Sequence, residues 1–197
     1  MGKIRKQFKI GNLVVKPLTP VLWRDFEDLF GPRGAYGGCW CMYWRITRKE
    51  FESGQGEKNH CLFKKIVESG EITGLLGYLD NQAVAWCSVA PRERFTSLDR
   101  SRVLKRIDDK AVWSIVCFFI RKGHRKQGLM LAMIQAAIEY VRSRQGRIIE
   151  AYPSVIRSPK APPVTIYMGT PDIYRQAGFV DIARPSKSKV FMRYQID

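Results

Sequence analysis

The sequence predicts one α/β domain of α+β type, a twisted mixed sheet flanked by helices. Three observations predict it. Residues 112–153 run from an apolar strand pattern through a basic, glycine-containing turn into an amphipathic helix and a second strand, the pattern of a parallel βαβ unit. Strand-like runs recur on both sides of that unit. Two helix patterns open on the same signal, Thr19-Pro20 and Thr170-Pro171, with proline at the first helical position. The chain has 197 residues, 45% of them hydrophobic, which suffices for one core and is short for two, so residues 1–197 are expected to form a single domain.

The elements follow in order. After a polar start, NLVVKPL (12–18) reads as a β-branched strand ending near Pro17. Leu22, Phe26 and Leu29, spaced by four and three, predict a helix that Gly31 and Pro32 stop. A glycine-rich loop leads to CWCMYWR (39–45), then Lys58–Ser69 forms a second helix. GLLGYLDNQAVAWCSVAP predicts two strands turning at Asp80-Asn81-Gln82, ended by Pro91, and a polar connection with some helical character follows. Ala111–Ile120 is the most strand-like run. Leu129–Arg144 is the best helix, with Met130, Ile134, Ala137 and Val141 on one face. GRIIEAYP is a strand closed by Pro153, SVIRSPKAPPV a proline-rich loop, and TPDIYRQAGF a helix stopped at Gly178. FVDIAR and SKVFMRYQI are two closing strands.

Composition narrows the function class. Lys and Arg total 34 against 18 Asp and Glu, a formal charge of +16, which favours anionic ligands without naming one. The positive residues lie in short groups (KIRK, RSRVLKR, RKGHRK, PSKSK), so a disordered basic arm is not expected. No apolar run is long enough for a membrane span or a secretory signal, and position 6 lacks the Ser or Thr of a myristoylation motif. A cytoplasmic protein without membrane contact is therefore expected. Five cysteines, an odd number, argue for reduced thiols over a disulfide framework.

The chemistry concentrates where the strand 111–120 hands over to the helix at Leu129. The first turn of a helix presents backbone N–H groups without intrahelical partners at the positive end of the helix dipole. Gly123 and Gly128 allow close backbone approach there, and Arg121, Lys122, Arg125 and Lys126 add charge suited to a phosphate or pyrophosphate. Neither the P-loop pattern nor the dinucleotide Gly-x-Gly-x-x-Gly fingerprint is present.

Arg125-Lys126-Gln127-Gly128-Leu129-Met130 resembles the Gln/Arg-x-x-Gly-x-Gly/Ala signature of the GCN5-related N-acetyltransferases (GNAT). Tyr174-Arg175-Gln176-Ala177-Gly178-Phe179 is similar to that family's Tyr-x-x-x-Gly-Phe segment, and the order of elements from residue 12 to 196 fits throughout. GCWCMYWR, VWSIVCFF and EAYP together look like a bacterial subgroup with unassigned acceptors. The resemblance implies splayed central strands, acetyl-CoA as co-substrate, and acyl transfer to an amine by direct attack. It implies that residues 125–130 cradle the pyrophosphate, that the backbone of Phe118, Phe119 and Ile120 pairs with the pantetheine arm, and that Tyr174 is the general acid. Met130 departs from the family's Gly or Ala.

The strand 112–120 carries no acidic residue, so Glu150 in RIIEAYP is the nearest carboxylate for a general base, on the same strand face as Tyr152. Trp40, Tyr43 and Trp44 offer aromatic walls for an apolar or cationic acceptor, or else line the core. Cys39, Cys41, His60 and Cys61 have poor spacing for zinc, and no metal is expected. Cys39 or Cys41 as a covalent nucleophile lacks a recognisable partner in sequence. Two other classes remain at this level: a basic nucleic-acid-binding module, whose affinity would fall steeply with salt, and a CoA-binding sensor without turnover. The acceptor and the oligomeric state, monomer or homodimer, are open.

Overall fold

A computed structural model describes residues 7–156 and 162–197. Eight strands form one sheet: β1 (Phe8–Ile10), β2 (Leu13–Pro17), β3 (Leu75–Leu79), β4 (Gln82–Pro91), β5 (Trp113–Ile120), β6 (Ile148–Ala151), β7 (Val180–Ser186) and β8 (Lys189–Gln195). Their order is β1-β2-β3-β4-β5-β6-β8-β7, with every neighbour antiparallel except β5 and β6. Six α-helices accompany them: α1 (Trp23–Phe30), α2 (Arg48–Ser53), α3 (Glu57–Glu68), α4 (Thr96–Asp99), α5 (Leu129–Ser143) and α6 (Pro171–Gln176). The expected mixed sheet and the βαβ unit β5-α5-β6 are both present. Residues 157–161 of the proline-rich stretch and the KIRK group at 3–6 lie outside the described residues.

Local chemistry accounts for the ends of most elements. Asp80 and Asn81 both take positive φ (46° and 62°), the geometry of a two-residue hairpin turn, and so join β3 to β4. Proline at position 20 opens a 3₁₀ turn, Pro20–Leu22, and α1 begins only at Trp23; the Thr19 side chain makes no capping bond. Helix α2 was not expected, yet Thr47 and Glu50 close a reciprocal capping box around its first turn. β1 was missed because three residues beside lysines show no alternation; Phe8 nevertheless packs its ring 6.1 Å from that of Tyr140.

The sheet buries both faces. On one, α5 lays Met133, Ile134, Ala137 and Val141 against Val15, Leu75, Cys87, Ile115 and Phe118. Gly77 keeps that contact close, since a Cβ there would stand 2.7 Å from Met133 Sδ. On the other, α1 and α3 supply Trp23, Phe26, Phe30 and Phe63 around Trp86. Each fully buried ring or aliphatic side chain contributes roughly 1.5–3 kcal/mol.

Two irregularities in β5 position the site. Ser88 of β4 pairs with Cys117 and Val89 with Ile115, leaving Val116 unopposed, a β-bulge in mid-strand. β5 then pairs with β6 only through Trp113, Ser114 and Ile115, although its pairing with β4 continues to Ile120. Beyond Ile115 the two parallel strands diverge, and the β5 edge is left open.

Candidate active site

The open edge of β5 has a defined polarity. Arg121 N–H donates to Val84 O at 2.9 Å, and the alternation of an antiparallel ladder then turns the Cys117 and Phe119 backbone toward β4. Phe118 and Ile120 face the gap. The gap is spanned by a strap, residues 162–170: Phe118 N–H donates to Tyr167 O at 2.6 Å, and Ser154 N–H, just beyond β6, donates to Gly169 O at 3.0 Å. Of the three residues expected to offer backbone to a bound arm, two therefore face the gap, and Phe119 instead packs its ring 5.4 Å from Phe30.

At the end of β5 the basic turn leads into α5. Gly128 precedes the helix with φ 76°, and the position of a Cβ on it is open space. Ala132 N–H donates to Gly128 O at 3.2 Å, so the amides of Leu129 and Met130 in the first turn have no intrahelical acceptor. The turn is held from within: Arg125 Nε donates to Ile120 O at 3.0 Å and Gln127 Nε2 to Gly123 O at 3.1 Å, while Lys126 adopts a φ of 62°. Arg121 is tied to Asp28 at 2.7 Å on the α1 side. Met130 turns away from the turn, packing on the core with its Sδ 3.5 Å from a Cβ position at Gly169. The residue that departs from the signature thus does not crowd the amides.

Tyr174 comes from α6 to the other side of the gap. Its side chain is fully buried against Phe118 and Phe179, and its hydroxyl has no hydrogen-bond partner among the described residues. Burial raises its pKa, with Cys87, Tyr152 and Cys117 nearby. An unpaired buried hydroxyl costs about 1–3 kcal/mol, so this one is poised for a partner.

Glu150 sits at the closed end of the fork. One carboxylate oxygen takes Arg193 Nε and Nη2 at 2.9 and 2.6 Å; the other takes Tyr152 OH at 2.8 Å and Arg92 Nη1 at 3.3 Å. Arg92 also donates to Tyr152 OH at 2.6 Å, and Ser114 Oγ lies 2.7 Å from the same hydroxyl. The predicted shared face of Glu150 and Tyr152 is real, and both carboxylate oxygens are committed within it.

The aromatic loop divides. Trp40, with φ 42°, enters the core between Phe30 and His60, whose ring centroids lie 5.9 and 4.4 Å away, and its edge lines a shallow depression with Arg24, Glu27, Asp28, Gly31 and Pro32. Tyr43 and Trp44 stack edge to face at 4.8 Å, and Tyr43 lies near Tyr167 of the strap, beside Cys39 and Cys117. Cys41 is buried and accepts from Trp86 Nε1 at 3.2 Å. Among the described residues no group of three or more His, Cys, Asp or Glu is arranged to hold a metal ion. Sequence reasoning did not find Tyr167, whose hydrogen bond from Phe118 is a product of the fold.

A model of the acetyltransferase (GNAT) family matches residues 23–157. Among solved structures, a GNAT acetyltransferase from Streptococcus agalactiae superposes with a TM-score of 0.57 at 13% identity, over 96% of this chain and 98% of that one. The PaiA N-acetyltransferase of Thermoplasma acidophilum, solved with coenzyme A, gives 0.52 at 14% identity over 93% and 99%. The ribosomal-protein-S5-alanine acetyltransferase of Vibrio fischeri gives 0.54 at 8% identity over 96% of both chains. A search of curated proteins returns no match. The fold order, the forked parallel strands and the matched family model agree, and the chain belongs to the GNAT family of acetyltransferases.

Proposed function

We propose that this protein transfers an acetyl group from acetyl-CoA to an amine by direct attack. The observation that carries the reading is a β5 edge with no strand beside it beyond Ile115, facing the buried hydroxyl of Tyr174, which has no hydrogen-bond partner among the described residues. Acetyl-CoA is the co-substrate, a reading supported by the Thermoplasma neighbour solved in complex with coenzyme A. The backbone amides at Gly128, Leu129 and Met130 would receive the pyrophosphate, where the helix dipole favours negative charge. The gap-facing backbone of Phe118 and Ile120 would hold the pantetheine arm, with the Tyr167 carbonyl withdrawing from Phe118. Tyr174 OH then donates its proton to the departing thiolate; burial holds the phenol in its protonated form for that step. Glu150 is a positioning residue in this scheme: held by two arginines and Tyr152, it pins the closed end of the fork. Tyr43, Trp44 and the edge of Trp40 border the acceptor side, and their rings suit a cationic or apolar amine.

The test compares thermal stability of the protein with acetyl-CoA, with CoA and with bare duplex DNA. Stabilisation by both CoA species and acetyl-CoA-dependent acetylation of members of an amine panel are expected. A protein stabilised by DNA alone would overturn the reading, and stabilisation by CoA with no turnover on any amine would leave a sensor. Tyr174→Phe should slow turnover by about a hundredfold and leave acetyl-CoA affinity unchanged; an unaltered rate removes Tyr174 from the chemistry.

A further inference from the structure

The β6 arm of the fork carries a cation whose contacts hold no negative charge. After Ala151 the chain stays beside the start of β8: Val190 N–H donates to Pro153 O at 3.3 Å, Val155 N–H to Ser188 O at 3.0 Å, and Ser154 lies opposite Lys189. Lys189 is half-buried there, against the strap. Its Nζ donates to Tyr152 O at 3.0 Å, to Ser154 Oγ at 2.9 Å and to Met168 Sδ at 3.2 Å, and it stands 5.9 Å from the centroid of the Tyr167 ring. Every one of these groups is uncharged. Burial lowers the pKa of the ammonium to about 8, so it stays mostly protonated at neutral pH. A charge drawn out of water is ordinarily paired.

The three contacts are unequal. Tyr152 and Ser154 belong to the sheet arm, whereas Met168 belongs to the strap, and a thioether is a weak acceptor. The Ser154 hydroxyl accepts from Lys189 and donates to nothing among the described residues. An ammonium and a hydroxyl 2.9 Å apart can therefore converge on one incoming oxygen, the first by exchanging Met168 and the second with a proton it does not otherwise use.

The place of this pair in the fold says which ligand meets it. Lys189, Phe191 and Arg193 share one face of β8, on which Phe191 packs 5.0 Å from the Tyr152 ring and Arg193 binds Glu150. Val190 and Met192 turn instead to the core that holds α5 and Tyr174. Met168 lies in one apolar cluster with Tyr152 and Phe191, and Trp44 and Tyr167 pack against it. Lys189 is thus on the face bordered by Trp44 and its neighbour Tyr43. One residue links it to the open edge: Tyr167 accepts Phe118 N–H at 2.6 Å and turns its ring toward Lys189.

We infer that Lys189 and Ser154 bind a carboxylate of the acceptor, so that the amine this protein acetylates is an amino acid. This rests on the acetyltransferase reading above and narrows its acceptor. One ammonium balances a single negative charge, which a carboxylate carries and a phosphate monoester exceeds at neutral pH. A carboxylate oxygen in the place of Met168 Sδ replaces an N–H···S contact by a charge-assisted N–H···O bond. The bond to Tyr152 O keeps the ammonium on the sheet, and the rings of Tyr43 and Trp44 stand on the same face for an apolar side chain of the ligand.

The experiment uses the full-length protein, Lys189→Met, Lys189→Arg, and Lys65→Met as an exposed-charge control on α3. Circular dichroism and acetyl-CoA affinity establish that each is folded. With leucine and isopentylamine as acceptors, which differ by the carboxylate, the ratio of their kcat/KM values is compared between proteins, so that the basicity of the two amines cancels. The ratio should fall by about tenfold to a hundredfold in Lys189→Met, stay at the parent's value in Lys65→Met, and recover in part in Lys189→Arg. Calorimetry on the CoA-loaded parent should show N-acetylleucine binding about tenfold more tightly than N-acetylleucinamide. Equal binding of those two probes overturns the inference, whether or not Lys189→Met folds, and so does an unchanged acceptor ratio in folded Lys189→Met. An acetyl group found on Lys189 itself overturns it as well, since the amide has no charge to offer. A parent that discriminates between the probes through Lys189 yet acetylates no amine would overturn the acetyltransferase reading and leave the carboxylate site standing.

Discussion

Glu150 is locked in an ion-pair network with Arg193 and Arg92, while the Cys41 thiol is drawn down to about 6. Replacing Glu150 by Gln leaves Arg193 and Arg92, 4% and 1% exposed, around a neutral amide. Breaking a buried pair in this way should cost roughly 3 kcal/mol, measured by denaturant unfolding. Cys41 makes a prediction with a definite sign. Its thiol titrates near 6 in the folded chain against an ordinary value of 9.0, so the unfolded chain binds more protons between those values. Its contribution to stability is therefore complete above about pH 9, declines as the pH falls, and is gone below about pH 6. The pH dependence of the melting temperature, parent minus Cys41→Ser, checks it. None of this was legible from residue types, because Arg45 reads as a surface cation until the fold buries it against Phe95, Phe63 and the Thr73 carbonyl.

The elements most legible in the sequence are those whose signals are local. The strand at Ala111–Ile120 and the helix at Leu129–Arg144 appear as β5 and α5 with ends shifted by two residues or fewer. The capping box of α2 was equally local: Thr47 and Glu50 stand in TRKE, and only the absence of apolar periodicity over six residues hid it. The strap was not legible, because its hydrogen bonds run to Phe118 and Ser154, residues that sequence alone gives no reason to bring together. The junction of β5 and α5 carries an element-scale prediction. Gly128→Glu puts a carboxylate at the first-turn amides and should abolish CoA binding in calorimetry. Gly128→Ala shares the backbone strain of a positive φ but not the charge, and should retain binding with reduced stability. Equal loss in both would mean that strain, not anion repulsion, governs the turn.

At the scale of the whole molecule the sheet is a fork, closed at one end by the Glu150 network and open at the other beside a basic turn. The charge of +16 is then a long-range field for a polyanionic ligand as well as a solubility device, and association should slow as salt rises. Among the described residues no helix is long and apolar enough to cross a membrane. The strap has a thermodynamic consequence for the entire chain. With its carbonyl on Phe118 N–H, Tyr167 occupies the hydrogen bond that the proposed pantetheine pairing would use. The apparent dissociation constant is the intrinsic one divided by the fraction of molecules whose edge is free. Tyr167→Ala, which removes the ring anchoring the strap beside Cys117 and Tyr43, should raise that fraction and tighten CoA binding severalfold in calorimetry, with a matching loss of stability in the unliganded protein. Under that proposal, affinity for the coenzyme and stability without it become two readings of one equilibrium, set by whether the strap or the ligand holds the Phe118 amide.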